Sequence, residues 1–182
     1  MLREFVDLVV FTVTEPIKIV VQALDDTQEL LTKGIHPSIS KSKVEPIYGS
    51  PIYTDLMFGK EAHSGIYIGD NKVVALRGDG EITESSLLEF TSHPTTVHQH
   101  IYVPYFKDNF DFPIGFASAG FRAMEMVGNK RRYNILIDNC HQFCSGCLTG
   151  NFENTDNFLW MLKDTIAELN EEAIRWKKWE WR

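Results

Sequence analysis

The densest chemistry in the chain lies in Cys140-His141-Gln142-Phe143-Cys144-Ser145-Gly146-Cys147. Placed on a helix, positions 140, 144 and 147 fall at i, i+4 and i+7 and so share one face. Cys144 and Cys147 then read as small apolar core residues, the usual behaviour of free cysteine. Cys140 differs because it follows Asp138-Asn139 and falls in the first turn. There the unpaired N–H groups and the positive end of the helix dipole favour a thiolate, which is a nucleophile. Two metal readings compete. The C-x3-C-x2-C spacing matches the iron–sulfur motif of radical S-adenosylmethionine enzymes, but the repeated strand–helix units such enzymes need do not follow it. A zinc site from Cys140, His141, Cys144 and Cys147 would need adjacent residues, about 100° apart on a helix, to converge tetrahedrally. No metal or cofactor is therefore expected.

A thiol nucleophile needs a base, and the chain offers six histidines. His36 lies in a polar linker, and His93 precedes Pro94 in a turn. His141 is next to Cys140 and should point elsewhere. His98 and His100 alternate on one face of a strand, a pattern suited to a polar solvent face. His63 opens His63-Ser64-Gly65-Ile66-Tyr67-Ile68-Gly69, where small Ser64 and Gly65 leave room for close approach of a backbone or substrate. The expected pair is Cys140 as nucleophile and His63 as general base.

The elements that must hold this pair follow from hydrophobic period. Leu2, Phe5, Val6, Val9 and Val13, then Ile17, Val20, Val21, Leu24 and Leu31, predict two helices, followed by a linker with Pro37, Ser38, Ser40 and Pro46. Period two takes over in Ile52–Phe58, His63–Ile68, Lys72–Leu76 and Val97–Tyr105, with Gly69-Asp70-Asn71 suited to a tight hairpin. Glu84–Phe90 predicts a short helix, Phe116–Val127 a longer one, and Cys140–Leu148 the cysteine helix. Thr155 or Asp156 can cap a last helix carrying Phe158, Leu159, Leu162, Ile166, Leu169 and Ala173, ending in a tail rich in tryptophan and lysine. Strands clustered before helices indicate an α+β fold. The expected organisation is a helical extension and linker at 1–43, a body at 44–150, and an amphipathic helix with its tail at 151–182.

A length of 182 residues suits one domain, and 43% hydrophobic with 24% charged residues is ordinary globular composition. The net charge of −7 is the wrong sign for affinity built on phosphate contacts, so nucleic acid is not an expected partner. Three closely spaced cysteines cannot form a closed disulfide framework, which points to a reducing, cytoplasmic setting. Acidic and basic residues cut the apolar segments, and Glu4 and Asp7 break a would-be signal core. The tail Trp176-Lys177-Lys178-Trp179-Glu180-Trp181-Arg182 joins indoles to basic residues, a combination suited to peripheral contact with a membrane.

Two segments carry a resemblance. His63-Ser64-Gly65-Ile66-Tyr67-Ile68-Gly69-Asp70 resembles the histidine box of the lecithin:retinol acyltransferase-like family. Asn139-Cys140-His141-Gln142-Phe143 resembles its Asn-Cys-Glu-His-Phe box, and Arg122, Val127-Gly128 and Tyr133 are similar to the segment between. The resemblance implies a circularly permuted papain-like or NlpC-like fold, with an antiparallel sheet packed against helices. It also implies a thioester on Cys140, His63 as base, and an acyl-lipid or amide substrate. Family members carry a second polar residue, commonly histidine, on the following strand, where this chain has Ala75. His98, His100 and Asp79 are the candidates for that role, and a noncatalytic interaction module on the same fold is the alternative.

Overall fold

The computed structural model describes residues 43–56, 61–92, 99–107, 112–132, 139–171 and 173–182. The chain divides into Met1–Ser42 and Lys43–Arg182, and all the described residues belong to the second unit. The two expected N-terminal helices, most of the linker, and His36, His93, His98 and Tyr133 lie outside the described residues.

Alternating side chains build the centre of the unit. Strands β1 (Pro51–Leu56), β2 (Glu61–Gly69), β3 (Lys72–Leu76), β4 (Ile82–Ser86), β5 (Ile101–Phe106) and β6 (Ile174–Trp179) form one sheet in the order β4-β3-β2-β1-β5-β6. Every neighbouring pair is antiparallel. The β2–β3 hairpin turns through Asp70 and Asn71, with φ of 47° and 57°. Two consecutive positive φ values match the right-handed twist of the flanking strands, and Asp and Asn tolerate them. Four helices complete the described fold: α1 (Leu87–Thr91), α2 (Ala117–Met126), α3 (Cys140–Thr149) and α4 (Leu159–Asn170).

Because the strand period is two, the sheet divides its side chains between two cores. Ile66, Val74, Leu76 and Ile82 pack with Phe143, Cys144 and Cys147 of α3 and Leu162 and Ile166 of α4. On the other face Ile52, Val73, Ala75, Ile101 and Val103 pack with Phe90 of α1 and with Trp179. Helix α3 is covered all round, and residues 140 to 148 are all buried.

Two elements differ from the sequence expectation. Strand β4 stands where only a helix was expected; Thr83, Glu84, Ser85 and Ser86 give it little apolar signal because it is an edge strand. Glu84 forms an ion pair with Lys72 of the neighbouring strand at 2.6 Å. The tryptophan-rich tail is strand β6, paired with β5 from Ile101↔Trp179 to Phe106↔Ile174. Trp179 is buried in one core and Trp176 packs against the other. The last helix accordingly ends at Asn170, and of its expected apolar face Leu162 and Ile166 are buried while Phe158 and Leu169 are exposed. Lys177 and Lys178 stand between the two indoles, which suits an edge that must not pair with other chains. No helix among the described residues is long and apolar enough to cross a membrane.

Candidate functional site

Helix α3 is fastened at both ends. Asn139 is extended, and its side-chain oxygen accepts from the amides of His141 (2.9 Å) and Gln142 (3.3 Å). Its Nδ2 donates to the Asn157 carbonyl at 2.8 Å, so the cap is itself tied to the segment before α4. Gln142 and Asn154 exchange side-chain-to-carbonyl bonds beside it. At the far end Arg122 Nη1 donates to the carbonyls of Cys147 (2.7 Å) and Leu148 (3.1 Å), and Gly150 closes the helix in the left-handed region at φ 83°. Asn139→Ala removes the acceptor for two helix-end amides and is expected to cost about 1–2 kcal/mol. Urea unfolding monitored by circular dichroism measures this, and Asn139→Asp should recover most of the loss.

Cys140 opens the helix as expected, but 4% exposed. Burial pushes its thiol up from the ordinary range; the amide and hydroxyl of Ser64 and the amides of Cys140 and His141 act in the opposite sense and favour the thiolate. Burial prevails, so the resting sulfur carries its proton at neutral pH. Cys144 and Cys147 lie in the core, where burial raises both thiols, that of Cys147 to about 12. Among the described residues no three histidine, cysteine or acidic side chains are arranged to hold a metal ion.

Strand β2 runs beneath α3, and beside Ile66 it sends Ser64 there. Its hydroxyl lies 2.9 Å from Nδ1 of His141. His141 is 6% exposed, and burial lowers its pKa to about 4, so the imidazole is neutral at physiological pH. His63 precedes Ser64 and therefore leaves β2 on the opposite face, with Gly65. Its ring lies 5.0 Å from that of Phe90 at 35°. A Cβ on Gly65 would come within 2.5 Å of Val73 and 3.1 Å of Phe90, so the glycine is what lets α1 close over this face. The structure thus brings the strand of His63 to Cys140, while the imidazole itself is turned toward α1.

Ala75 is buried on the same face as Gly65 and offers no polar atom to His63. Asp79 is exposed, accepts from the Glu81 amide at 3.0 Å and pairs with Arg77 at 3.5 Å. His100 is half-buried just before β5.

A second polar group adjoins Ser64 and escaped sequence reasoning. Tyr53 stands opposite Ser64 in the β1–β2 register and stacks on Tyr102 at 4.7 Å. Lys163 of α4 donates to the Tyr53 hydroxyl at 3.2 Å and lies 4.5 Å from the Tyr53 ring centre and 5.1 Å from that of Trp176. Burial lowers the lysine pKa, which Asp55 partly offsets, and burial likewise raises the Tyr53 phenol. These residues come from distant segments with no shared motif, and the pairing of β1 with β2 and β5, of β5 with β6, and the packing of α4 collect them.

No family model matches the chain. A search of curated proteins likewise finds no match.

Proposed function

We propose that this chain is a cysteine-dependent hydrolase or acyltransferase, built on a circularly permuted papain-like arrangement of its α+β fold. The observation that carries the proposal is the seat of Cys140. It is the first residue of α3, it rests on β2 through Ser64, and His63 adjoins Ser64 in that strand. The thiol loses its proton to His63 as general base, and the sulfur attacks an acyl carbonyl. A carbon–sulfur bond forms, the tetrahedral adduct collapses, and the leaving alcohol or amine takes the proton back from His63. Water or a second acceptor gives a proton to His63 and attacks the thioester; the carbon–sulfur bond breaks and the departing sulfur takes that proton back.

The imidazole of His63 leaves the opposite face of β2 and rests against Phe90, so bringing it to the sulfur requires a backbone movement at the start of β2 rather than a rotation of the ring alone. The raised thiol pKa makes a base necessary. An acyl-lipid substrate follows from the resemblance of the two boxes, with an amide as the runner-up. Among the described residues Gln142 Oε1 and Asn157 Oδ1, near the same helix end, are buried without hydrogen-bond partners and would accept from a polar substrate.

The test is to trap the thioester. Incubation with an activated acyl ester should add the acyl mass at Cys140, and Cys140→Ala should lose it completely. His63→Gln should slow acylation by about 10²–10⁴-fold, the range of general-base catalysis. Acylation at Cys144, or undiminished acylation in His63→Gln, would refute the assignment. One observation favours the noncatalytic reading, namely a closed site with Ala75 on the face of His63. That reading prevails if Cys140→Ala and His63→Ala proteins keep full cellular function.

A further inference from the structure

The buried polar contact that the proposed reaction leaves unused is the one between Ser64 and His141. We infer that Ser64 and His141 form a hydrogen-bond chain that holds the Cys140 sulfur as a thiolate once its proton has left, Nδ1–H of neutral His141 donating to the Ser64 hydroxyl and the hydroxyl donating to the sulfur. The inference rests on the proposed role of Cys140 and assigns both residues a positioning role.

The Ser64–His141 contact of 2.9 Å fixes the first link, and the second is the influence of the Ser64 hydroxyl on the Cys140 thiol. Ser64 is fully buried, so no water competes for its hydroxyl. A hydroxyl has one proton to give and lone pairs to receive; in the tautomer with the proton on Nδ1, which lies 2.9 Å away, its own proton is free to turn to sulfur. Both the Ser64 hydroxyl and amide act on Cys140 in the direction of the thiolate. The same hydroxyl also approaches Cys144, but the amides of Cys140 and His141 act on Cys140 in addition. One proton shared between two sulfurs therefore goes to the one at the helix end. Burial keeps His141 neutral down to about pH 4, so it does not take the thiol proton near neutrality; it donates without charging. The thiol proton itself leaves to His63 during reaction, or to solvent in a titration.

The experiment is a pH titration of thiolate ultraviolet absorbance on the full chain, read as the difference from Cys140→Ser so that Cys140 alone is followed. Ser64→Ala should move the midpoint up by about one unit or more, a tenfold loss of thiolate at any pH below it. His141→Leu, which keeps the bulk and removes the donor, should do the same. His141→Asn, whose amide nitrogen can stand near the place of Nδ1, should retain the original midpoint. An unchanged or lowered midpoint in Ser64→Ala overturns the chain, and an unchanged midpoint in His141→Leu removes His141 from it. The titration needs no substrate. A protein that fails to acylate yet shows these shifts would refute the proposed reaction and leave the chain standing.

Discussion

Phe143→Ala should unfold the protein about 3–5 kcal/mol more easily than the wild type, measured as the shift in urea midpoint at constant slope. Phe143 is among the largest side chains with no exposed surface, and it stands on the helix that carries Cys140. Its core includes Ile66 and Val74 from the sheet and Leu162 and Ile166 from α4, with the Phe152 ring at 6.2 Å. Truncation removes the transfer free energy of the ring and leaves a cavity that elements from the sheet, α3 and α4 cannot close together. Against a total stability of about 5–15 kcal/mol for an ordinary domain, the loss is large. Phe143→Leu keeps most of the volume and should cost less than half as much. Equal losses for the two variants would show that the ring does not fill the space described.

Acidification should cost this protein stability through His141 well before most carboxylates protonate. The folded pKa is about 4, depressed by burial, whereas the unfolded imidazole titrates near its ordinary value of 6.5. Below the unfolded value the unfolded chain binds a proton that the folded chain refuses, so stability falls as pH falls through this window and levels off below the folded value. At 1.36 kcal/mol per unit, the full window corresponds to about 3 kcal/mol. The check is urea unfolding between pH 7 and pH 4 for the wild type and His141→Asn. The stability difference between the two should shift by about 3 kcal/mol in favour of the variant across the window. Parallel curves would mean that His141 is hydrated in the folded protein.

Strand β2 illustrates how far the sequence can be read. Its existence and its hairpin with β3 follow from alternation and a Gly-Asp-Asn turn, although it runs from Glu61 to Gly69 where His63–Ile68 was expected. What alternation leaves open is which of its two faces receives which helix. Ile66 and Ile68 share the parity of Ser64, and that more apolar face took α3, so Ser64 rather than His63 points at Cys140. The parity was visible in the sequence; the small size of Ser64 made it look like spare room. Strand β6 shows the opposite limit. Trp176 and Trp179 stand at opposite parity and fill opposite cores, yet their pairing partner lies roughly seventy residues earlier in the chain, and local pattern cannot reveal a contact of that range.

The sequence by itself determined the α+β class, the hairpin, the helix that begins at Cys140 and the burial of Cys144 and Cys147, because each depends on residues within a few positions of one another. Only the tertiary structure decided that the tail is the sixth strand, that Tyr53, Tyr102, Trp176 and Lys163 gather beside Ser64, and that the thiol is held protonated. Those outcomes depend on strand register and on burial, and both are properties of segments that meet in space after the chain has folded.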